Sequence, residues 1–286
     1  MFSFLEFLPT VPEITLLDVG AAASDQQLAS DPFNKLLAQP SVTVIGFEPY
    51  LPACEARNKQ AADSHYYLPY FIGDGSKRTF YQCKNPLTSS LYKPNTELLS
   101  YFQQMEEIQV ASSYEVQTKR LQDIEEVTHC DIIKIDVQGA ELDVLKGMGK
   151  KLLAETLIVH AEVGYIPIYH DQPLFSDVDL MLRQQGFYLH RFHKNFSRQF
   201  KPLKLNNTAY SGGSQLMFAE AAIYVKDFTR FTALPAEKLL ALAWVLHDIY
   251  GSVDMVCVVL KALDQISGSH YQQPYIDRLR KEKITR

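Results

Sequence analysis

The sequence predicts an α/β protein with a doubly wound, mostly parallel sheet and a C-terminal helical extension. From residue 14 onward, short apolar runs alternate with amphipathic stretches, and several of these runs end at glycine or an acid. The last part of the chain is instead dense in leucine, alanine and valine. Of the 286 residues, 47% are hydrophobic and 21% charged, which excludes a disordered or collagen-like chain.

The predicted elements follow from the lengths of the apolar runs and from glycine and proline at their ends. Strands are predicted at 14–19, 42–47, 66–72, 132–136, 156–163, 187–191 and 216–225, the last as an edge strand. Helices are predicted from Asp31-Pro32, at 51–60, 97–108, 140–147 and 175–185, and as a pair within 234–263. The basic tail at 272–286 is expected to be solvated. The predicted domain is 1–226, with 227–286 as a helical extension packed on it.

Charge and cysteine content exclude several classes of partner. The 28 basic and 33 acidic side chains give a net charge of -5, so no nucleic acid is expected as a partner. No CxxC pair and no close cluster of cysteine and histidine is present, which predicts reduced thiols and no zinc site. The cysteines are Cys54, Cys83, Cys130 and Cys257.

No membrane or export segment is predicted. The first basic residue is Lys35, so the N-terminus lacks the charged start of a signal peptide. The longest apolar run, 239–246, is shorter than the ~20 residues that span a bilayer. A cytoplasmic protein without a membrane partner is therefore expected, and its C-terminal helices could also form a contact between copies.

In a doubly wound sheet, ligands bind beyond the carboxyl ends of the strands, so residues at those ends are the candidates. Small residues after the first strand let backbone N–H groups approach a ligand, and an acid after the second strand can accept ribose hydroxyls. Each such residue taken alone is also compatible with a structural role, but their joint placement predicts a nucleoside-type cofactor. The residues are Asp18, Gly20, Ala21, Glu48, Asp74, Asp136 and Glu162.

The glycine pattern indicates which nucleoside is bound. The second and third glycines of a pyrophosphate loop are replaced by alanine, serine and aspartate, and Asp18 and Asp25 flank the turn. Negative charge there opposes a diphosphate and favours a sulfonium cation, which predicts S-adenosylmethionine. An NAD-type oxidoreductase is the alternative, although Gly20 and Glu48 are 28 residues apart against about 20 in the dinucleotide pattern.

Several segments together resemble the FkbM-type methyltransferases over about residues 14 to 226. They are Asp18-Val19-Gly20-Ala21, Gly46-Phe47-Glu48-Pro49, Ser89-Ser90-Leu91, the run Lys134 to Asp143 and Gly186-Phe187. The resemblance implies a Rossmann-like class I methyltransferase that uses S-adenosylmethionine. It also implies a hydroxyl acceptor on a sugar, a glycan or another small molecule such as a secondary metabolite.

The resemblance also assigns cofactor residues. Asp18, Gly20 and Ala21 would hold the methionine part, Glu48 the ribose, and Asp74 is a candidate near the adenine. Many members carry a further glycine where this chain has Ala22-Ala23-Ser24-Asp25. A catalytically silent nucleoside-binding module with the same fold is therefore a further alternative.

Methylation of a hydroxyl needs a general base within hydrogen-bond reach of the acceptor. Asp136 is the first candidate, with capping of the following turn as its alternative role, whereas Glu141 is interpreted as structural. His160 and Glu162 share one face of the fifth strand and are candidates for orienting the acceptor, although His160 is also compatible with a core position. These acids and a histidine could hold a divalent ion, but their spacing requires none, and no metal is predicted.

The segment 191–213 interleaves basic and aromatic residues. A solvated loop is the usual explanation, and a lid that binds the acceptor is the more specific hypothesis. Lys201 and Lys204 would contribute to that lid. His190 and His193 are further candidates for the base, and Ser89, Ser90, Tyr165 and Tyr169 are candidates for lining the acceptor cleft.

Overall fold

Nine strands and eight α-helices form the part of the chain that the structure, a computed structural model, describes: residues 2–8, 10–21, 32–203 and 213–282. The strands are β1 Ile14–Val19, β2 Val42–Phe47, β3 His65–Leu68, β4 Lys77–Cys83, β5 Val110–Gln117, β6 Ile132–Ile135, β7 Ile158–Gly164, β8 Phe187–Arg198 and β9 Gln215–Lys226. The helices are α1 Asn34–Leu37, α2 Leu51–Gln60, α3 Thr96–Leu99, α4 Glu141–Glu155, α5 Phe175–Gln184, α6 Ala236–Asp248, α7 Val253–Ser267 and α8 Gln272–Lys281.

Seven of the strands form one sheet in the order β3-β2-β1-β6-β7-β9-β8. β9 runs antiparallel to both of its neighbours, whereas the other pairs in this sheet are parallel. The strand order reverses beside β1, because the chain fills one side out to β3 and then returns to β6. A ligand-binding crevice is expected at this reversal. The predicted mostly parallel, doubly wound sheet is confirmed.

Both faces of the sheet are covered, which explains why its central strands are nearly continuous apolar runs. On the first face, Ile14, Leu16 and Ile132 pack in one cluster with residues of α6 and α7. On the second face, Leu17 and Ile133 pack with residues of α4 and α5. Successive residues of a strand point to opposite faces, so Asp18, four residues after Ile14, belongs to the first face.

The C-terminal helices complete the core on the first face. Trp244 of α6 is buried in the same cluster as the sheet residues, and Lys238 Nζ lies 2.6 Å from Asp131 Oδ1 beside β6. The N-terminal segment joins this cluster, because Asp248 accepts hydrogen bonds from Ser3 Oγ and from the N–H of Phe4. The division at residue 226 and the use of these helices between copies stay predictions. Among the described helices, none has the length and hydropathy needed to cross a bilayer.

Several element boundaries differ from the sequence predictions. β3 ends at Leu68, not at Ile72, because Pro69 has no N–H to continue the ladder. α4 continues beyond its predicted end at Gly147, where a Cβ would lie 2.1 Å from the carbonyl oxygen of Gly73. The glycine therefore permits close packing against Gly73, and the helix is kinked two residues later at Gly149, where φ is +69°.

The remaining differences come from long-range pairing. β9 is not an edge strand, because β8 extends to Arg198 and pairs along its outer side. The helix predicted at 97–108 is limited to α3, since Phe102 pairs with Phe200 beyond its end. The β4–β5 hairpin was not predicted, and the tail forms α8 up to Lys281. The predicted helix start at Asp31 lies outside the described residues, and α1 begins at Asn34.

A close backbone approach joins the ends of β1 and β6. The N–H of Asp136 donates to the carbonyl of Val19 at 2.9 Å. Gly20 has φ +84°, and a Cβ on it would lie 1.9 Å from the carbonyl oxygen of Asp136. A side chain at Gly20 would therefore force the two strand ends apart.

We expect Gly20→Ala to lower the free energy of unfolding more than Gly186→Ala does. Gly186 also has a positive φ, +78°, but a Cβ there meets nothing within 4 Å. Both variants introduce backbone strain, and only Gly20→Ala adds the clash, which costs about 1–3 kcal/mol. Urea unfolding of the two variants measures the difference, and equal losses would contradict the close approach.

We also expect His247 to make the stability depend on pH. The fully buried ring donates from Nε2 to the Phe2 carbonyl at 2.9 Å, and its Nδ1 accepts from the Tyr275 hydroxyl at 2.7 Å. Burial lowers the pKa of His247 below 6.5, so below that pH the unfolded chain binds a proton that the folded protein resists. The free energy of unfolding therefore falls as pH decreases below this value.

Urea unfolding at about pH 7.5 and about pH 5.5 tests this effect. His247→Gln should lose less stability between the two pH values than the wild type does, by about 1 kcal/mol. The matched control is His270→Gln at an exposed position, which should keep the wild-type dependence. The same dependence in His247→Gln as in the wild type would contradict the prediction.

Candidate functional site

A row of polar side chains crosses the first face near the carboxyl ends of the central strands. Asp18 of β1 is in register with Gly46 of β2 and Lys134 of β6, and Lys134 is in register with His160 of β7. Lys134 Nζ lies 3.6 Å from Asp18 Oδ1, and Arg57 Nη2 lies 3.7 Å from Asp18 Oδ2. The carboxylate of Asp18 is thus held between two cations.

One buried oxygen of Asp18 has no hydrogen-bond donor among the described residues, although Lys134 Nζ lies 3.6 Å away. Asp18 is 7% exposed, and within the described ranges its Oδ1 has no hydrogen-bond partner. Buried polar atoms are nearly always hydrogen-bonded, so such an atom calls for a specific explanation. A donor group on a bound ligand would provide the missing hydrogen bond.

The end of β2 meets the end of β1 at this corner. The N–H groups of Gly20 and Ala21 both donate to the carbonyl of Phe47, at 3.2 and 3.1 Å. The next residue, Glu48, is 4% exposed, and its Oε1 accepts from the N–H of Tyr50 at 2.7 Å. The structure therefore brings Gly20, Ala21 and Glu48 together, and their role in binding a cofactor stays a prediction.

Two acids, Asp136 directly after β6 and Glu162 near the end of β7, meet at the carboxyl ends of these strands. The side-chain nitrogen of Gln138 lies 2.8 Å from Asp136 Oδ1 and 3.3 Å from each carboxyl oxygen of Glu162. One amide thus joins the two acids that the sequence pattern selects for catalysis. Both acids are only partly buried, so a ligand can reach them.

The surroundings of these carboxyl groups favour binding of protons. Burial raises the pKa of Asp136 above 3.8, against the opposing effects of the Gln138 hydrogen bond and the Lys134 charge. Burial also raises the pKa of Glu162 well above 4.5, and the charges of Asp136 and Glu141 add to the rise. Two acids this close do not both ionise freely, so the pair retains a proton to higher pH than separate acids would.

Glu141 supports the turn that carries these groups. Its Oε1 accepts from the N–H of Val137 at 3.1 Å and from the N–H of Gly139 at 3.0 Å. Burial raises its pKa to about 7, against the effect of these hydrogen bonds. The contacts agree with the structural interpretation of Glu141.

Sequence reasoning did not select Gln138 as a site residue. The contacts that define it come from distant parts of the chain, because Ser90 Oγ donates to its carbonyl oxygen and the Tyr169 hydroxyl donates to its side-chain oxygen. Ser90 and Tyr169 are two of the residues predicted to line the acceptor cleft. Two signals in the sequence were its position shortly after β6 and before Gly139, and its place in the run 134–143 that carries the resemblance.

His160 faces the C-terminal extension. It is 5% exposed, its Nδ1 lies 3.1 Å from the Tyr250 hydroxyl, and its ring packs edge-on against Phe33. Glu162, two residues later, contacts Gln138 instead. The two candidates of β7 therefore lie in different surroundings, and a catalytic role for His160 stays a prediction.

The histidines of β8 also differ in surroundings. His190 Nε2 lies 2.7 Å from Ser252 Oγ in the C-terminal extension, and burial lowers its pKa. His193 Nε2 lies 3.9 Å from Glu220 Oε1, and the charge of Glu220 raises the pKa of Asp136. Of these two histidines, His193 is thus the one whose acidic neighbour acts on the catalytic candidates.

The structure describes only part of the segment in the lid hypothesis. β8 accounts for the segment up to Arg198, and Lys201 Nζ then lies 3.5 Å from Glu106 Oε1. Lys204 lies outside the described residues, as does the stretch Ala22-Ala23-Ser24-Asp25.

Asp74 lies in an exposed turn before β4. Its Oδ1 accepts from the N–H and the hydroxyl of Ser76, and these hydrogen bonds lower its pKa. Its contacts are thus local to the turn, and its assignment to the adenine end stays a prediction.

A metal centre is not indicated among the described residues, which contain no group of three or more His, Cys, Asp and Glu side chains arranged to hold an ion. Asp136 and Glu162 contact the amide of Gln138 instead. An arrangement of this kind can accept a proton from a hydroxyl and donate a hydrogen bond to it.

Two comparisons with known proteins match methyltransferases. The methyltransferase FkbM domain model matches residues 18–189. The 2-O-methyltransferase NoeI of Sinorhizobium fredii (strain NBRC 101917 / NGR234) is 28% identical over 188 residues, which cover 59% of this chain and 72% of that protein.

One solved structure, "Crystal Structure of Putative Precorrin-6Y C5,15-Methyltransferase Targeted Domain from Corynebacterium diphtheriae", is 13% identical to this chain. The alignment covers 78% of this chain and 93% of that chain with a TM-score of 0.31, which is too low to bear on fold or function. The family model matches more than half of the chain and includes the ends of β1, β2, β6 and β7. The chain therefore belongs to the FkbM methyltransferase family.

Proposed function

We propose that this methyltransferase uses S-adenosylmethionine to methylate a hydroxyl of a sugar, a glycan or another small molecule. The observation that carries the proposal is the meeting of Gly20, Glu48 and Asp136 at the reversal of strand order. In doubly wound sheets this place binds nucleoside cofactors. The family and the 2-O-methyltransferase relative support transfer to a hydroxyl.

The residues at this corner fit a positively charged sulfur nucleoside. Asp18 Oδ1 lacks a hydrogen-bond partner among the described residues and would accept one from the ammonium group of the methionine part. Gly20 and Ala21 would border that part, and Glu48 would accept hydrogen bonds from the ribose hydroxyls. For the adenine, Asp74 is proposed on the family resemblance alone.

When bound, S-adenosylmethionine supplies a methyl group on a sulfonium, which is a good leaving group. The protein then has to align the acceptor, exclude water and remove the hydroxyl proton. Asp136 is the proposed base, and Glu162 orients the acceptor from the neighbouring strand. His160 is proposed as a supporting group through its position beside Lys134.

The proposed acceptor cleft includes Ser90 and Tyr169, which contact Gln138 beside the two acids, and Tyr165 from the loop after β7. Tyr165 donates its hydroxyl hydrogen to Asn195 at 2.6 Å, and Phe192 packs edge-on against the Tyr165 ring. Aromatic faces bordered by polar groups suit stacking on a sugar. On the sequence pattern alone, residues of the segment 191–213 are proposed to contact the acceptor.

Calorimetric titration with S-adenosylmethionine, S-adenosylhomocysteine and NAD tests the cofactor. We expect both sulfur nucleosides to bind with dissociation constants on the order of micromolar and NAD to give no heat. Binding of NAD alone would show that the chain is a dinucleotide-binding protein and would overturn the proposal. If none of the three ligands gives heat of binding, the result would indicate a module that no longer binds this cofactor.

Two substitutions separate binding from chemistry. Glu48→Ala should weaken cofactor binding about 10- to 100-fold, because a charge-assisted hydrogen bond to ribose is lost. Asp136→Asn should leave cofactor affinity nearly unchanged and lower kcat about 100-fold or more, because the base is lost. Calorimetry and methyl incorporation into nucleotide sugars and glycan fragments measure the two effects.

The matched controls are Glu55→Ala and Asp63→Asn, which make the same chemical changes at exposed positions. Both should bind the cofactor and turn over as the wild type does. Full turnover by Asp136→Asn would remove Asp136 from the mechanism, and unchanged affinity of Glu48→Ala would remove Glu48 from the cofactor site.

A further inference from the structure

Gln138 is held in a backbone conformation that side chains rarely adopt. Its φ is +56°, and the φ of the following Gly139 is +103°. Such conformations of non-glycine residues persist where the surrounding structure enforces them, and they cluster at functional sites. Here Glu141 enforces the turn by accepting from the N–H groups on both sides of Gln138.

The partners of the Gln138 amide determine its orientation. Its nitrogen faces the carboxyl groups of Asp136 and Glu162, and its oxygen lies 3.2 Å from the Tyr169 hydroxyl, whose one hydrogen is shared with the carbonyl of Thr88 at 2.9 Å. The carbonyl of Gln138 also accepts from Ser90 Oγ at 2.6 Å. Both ends of the residue are therefore fixed, and its two amide hydrogens are directed at the two acids.

The two acids do not share this donor equally. The distance from the Gln138 nitrogen is 2.8 Å to Asp136 and 3.3 Å to Glu162. We infer that Gln138 is a positioning residue that holds the two acids in different protonation states. Asp136 is the carboxylate that takes the acceptor proton, and Glu162 stays protonated as a hydrogen-bond donor to the acceptor. This inference rests on the proposed function and assigns the roles within its site.

The charges around the pair also favour an ionised Asp136 and a protonated Glu162. Lys134 favours the ionised form of Asp136, whereas Glu162 faces Asp136 and Glu141. Burial raises the pKa of Tyr169 well above 10, so its hydroxyl stays neutral and continues to donate. Within the described ranges, the titratable and charged groups that act on the pair include Lys134 on β6, Asp18 on β1, Glu141 on α4, Glu220 on β9 and Tyr169 after β7.

The proton balance of the step is simple. The hydroxyl hydrogen of the acceptor passes to a carboxylate oxygen of Asp136, and the bonding electrons stay on the acceptor oxygen, which becomes the nucleophile. Glu162 donates a hydrogen bond without losing its proton, so it orients the acceptor while the pair becomes neutral as Asp136 takes up the acceptor proton. Removal of the Gln138 donor would make proton binding at both acids easier.

Carbon-13 NMR titration of the carboxyl groups in the cofactor-free protein tests the inference directly. In the wild type, Asp136, assigned by comparison with Asp136→Asn, should titrate at lower pH than Glu162. In Gln138→Leu, the titration of Asp136 should move up by about one pH unit and that of Glu162 by less, so the two titrations come closer together. Gln138→Asn provides a second variant, because asparagine tolerates positive φ but is one methylene too short to reach both acids.

The pH dependence of kcat provides the second measurement. Activity needs an ionised Asp136 and a protonated Glu162, so both limbs of the profile should move to higher pH in the Gln138 variants. A merely structural role would lower kcat and leave the limbs in place. The exposed control Gln184→Leu should keep the wild-type profile.

Unchanged carboxyl titrations in Gln138→Asn, or limbs that stay in place, would overturn the inference. The NMR titration needs neither cofactor nor acceptor. If the two acids of the wild type titrate at different pH but the protein transfers no methyl group, the proposed function is refuted and the inference about Gln138 still stands. If the protein transfers methyl groups but the two acids titrate at the same pH, the inference about Gln138 is refuted and the proposed function stands.

Discussion

The contact between Gly20 and the carbonyl of Asp136 is the constraint on which the site depends. No side chain fits between them, so the first turn after β1 lies directly against the end of β6. The same turn donates two backbone hydrogen bonds to Phe47, which fixes the end of β2 at that corner. Backbone geometry at the strand ends therefore places Asp18, Glu48 and Asp136 at one corner, independently of their side-chain contacts.

This concentration of acids opposes folding unless other groups compensate for it. Buried carboxylates are costly unless they are paired, hydrogen-bonded or protonated. The protein uses all three means, since Lys134 and Arg57 flank Asp18, Gln138 donates to Asp136, and burial favours the protonated form of Glu162. Such local costs are expected at a functional site, where the arrangement serves a ligand more than it serves stability.

The sequence predicted the central strands well because both of their faces are buried, so an apolar run alone identifies them. It missed the β4–β5 hairpin, whose residues are mostly exposed, and the length of β8, which depends on pairing with β9. Position at a strand end was enough to select Asp136 and Glu162. The amide that joins them was not predictable, since its partners Ser90 and Tyr169 are 48 and 31 residues from Gln138.

The C-terminal helices reach the base of this site, which sequence periodicity could not show. Tyr250, between α6 and α7, contacts His160, and His160 is in register with Lys134, the cation that lies beside Asp18. Because packed side chains of this row have little freedom to shift, the position of Tyr250 limits the position of His160. The extension thus covers the apolar core and at the same time supports the polar row. Truncation of these helices would therefore affect both the core and the polar row.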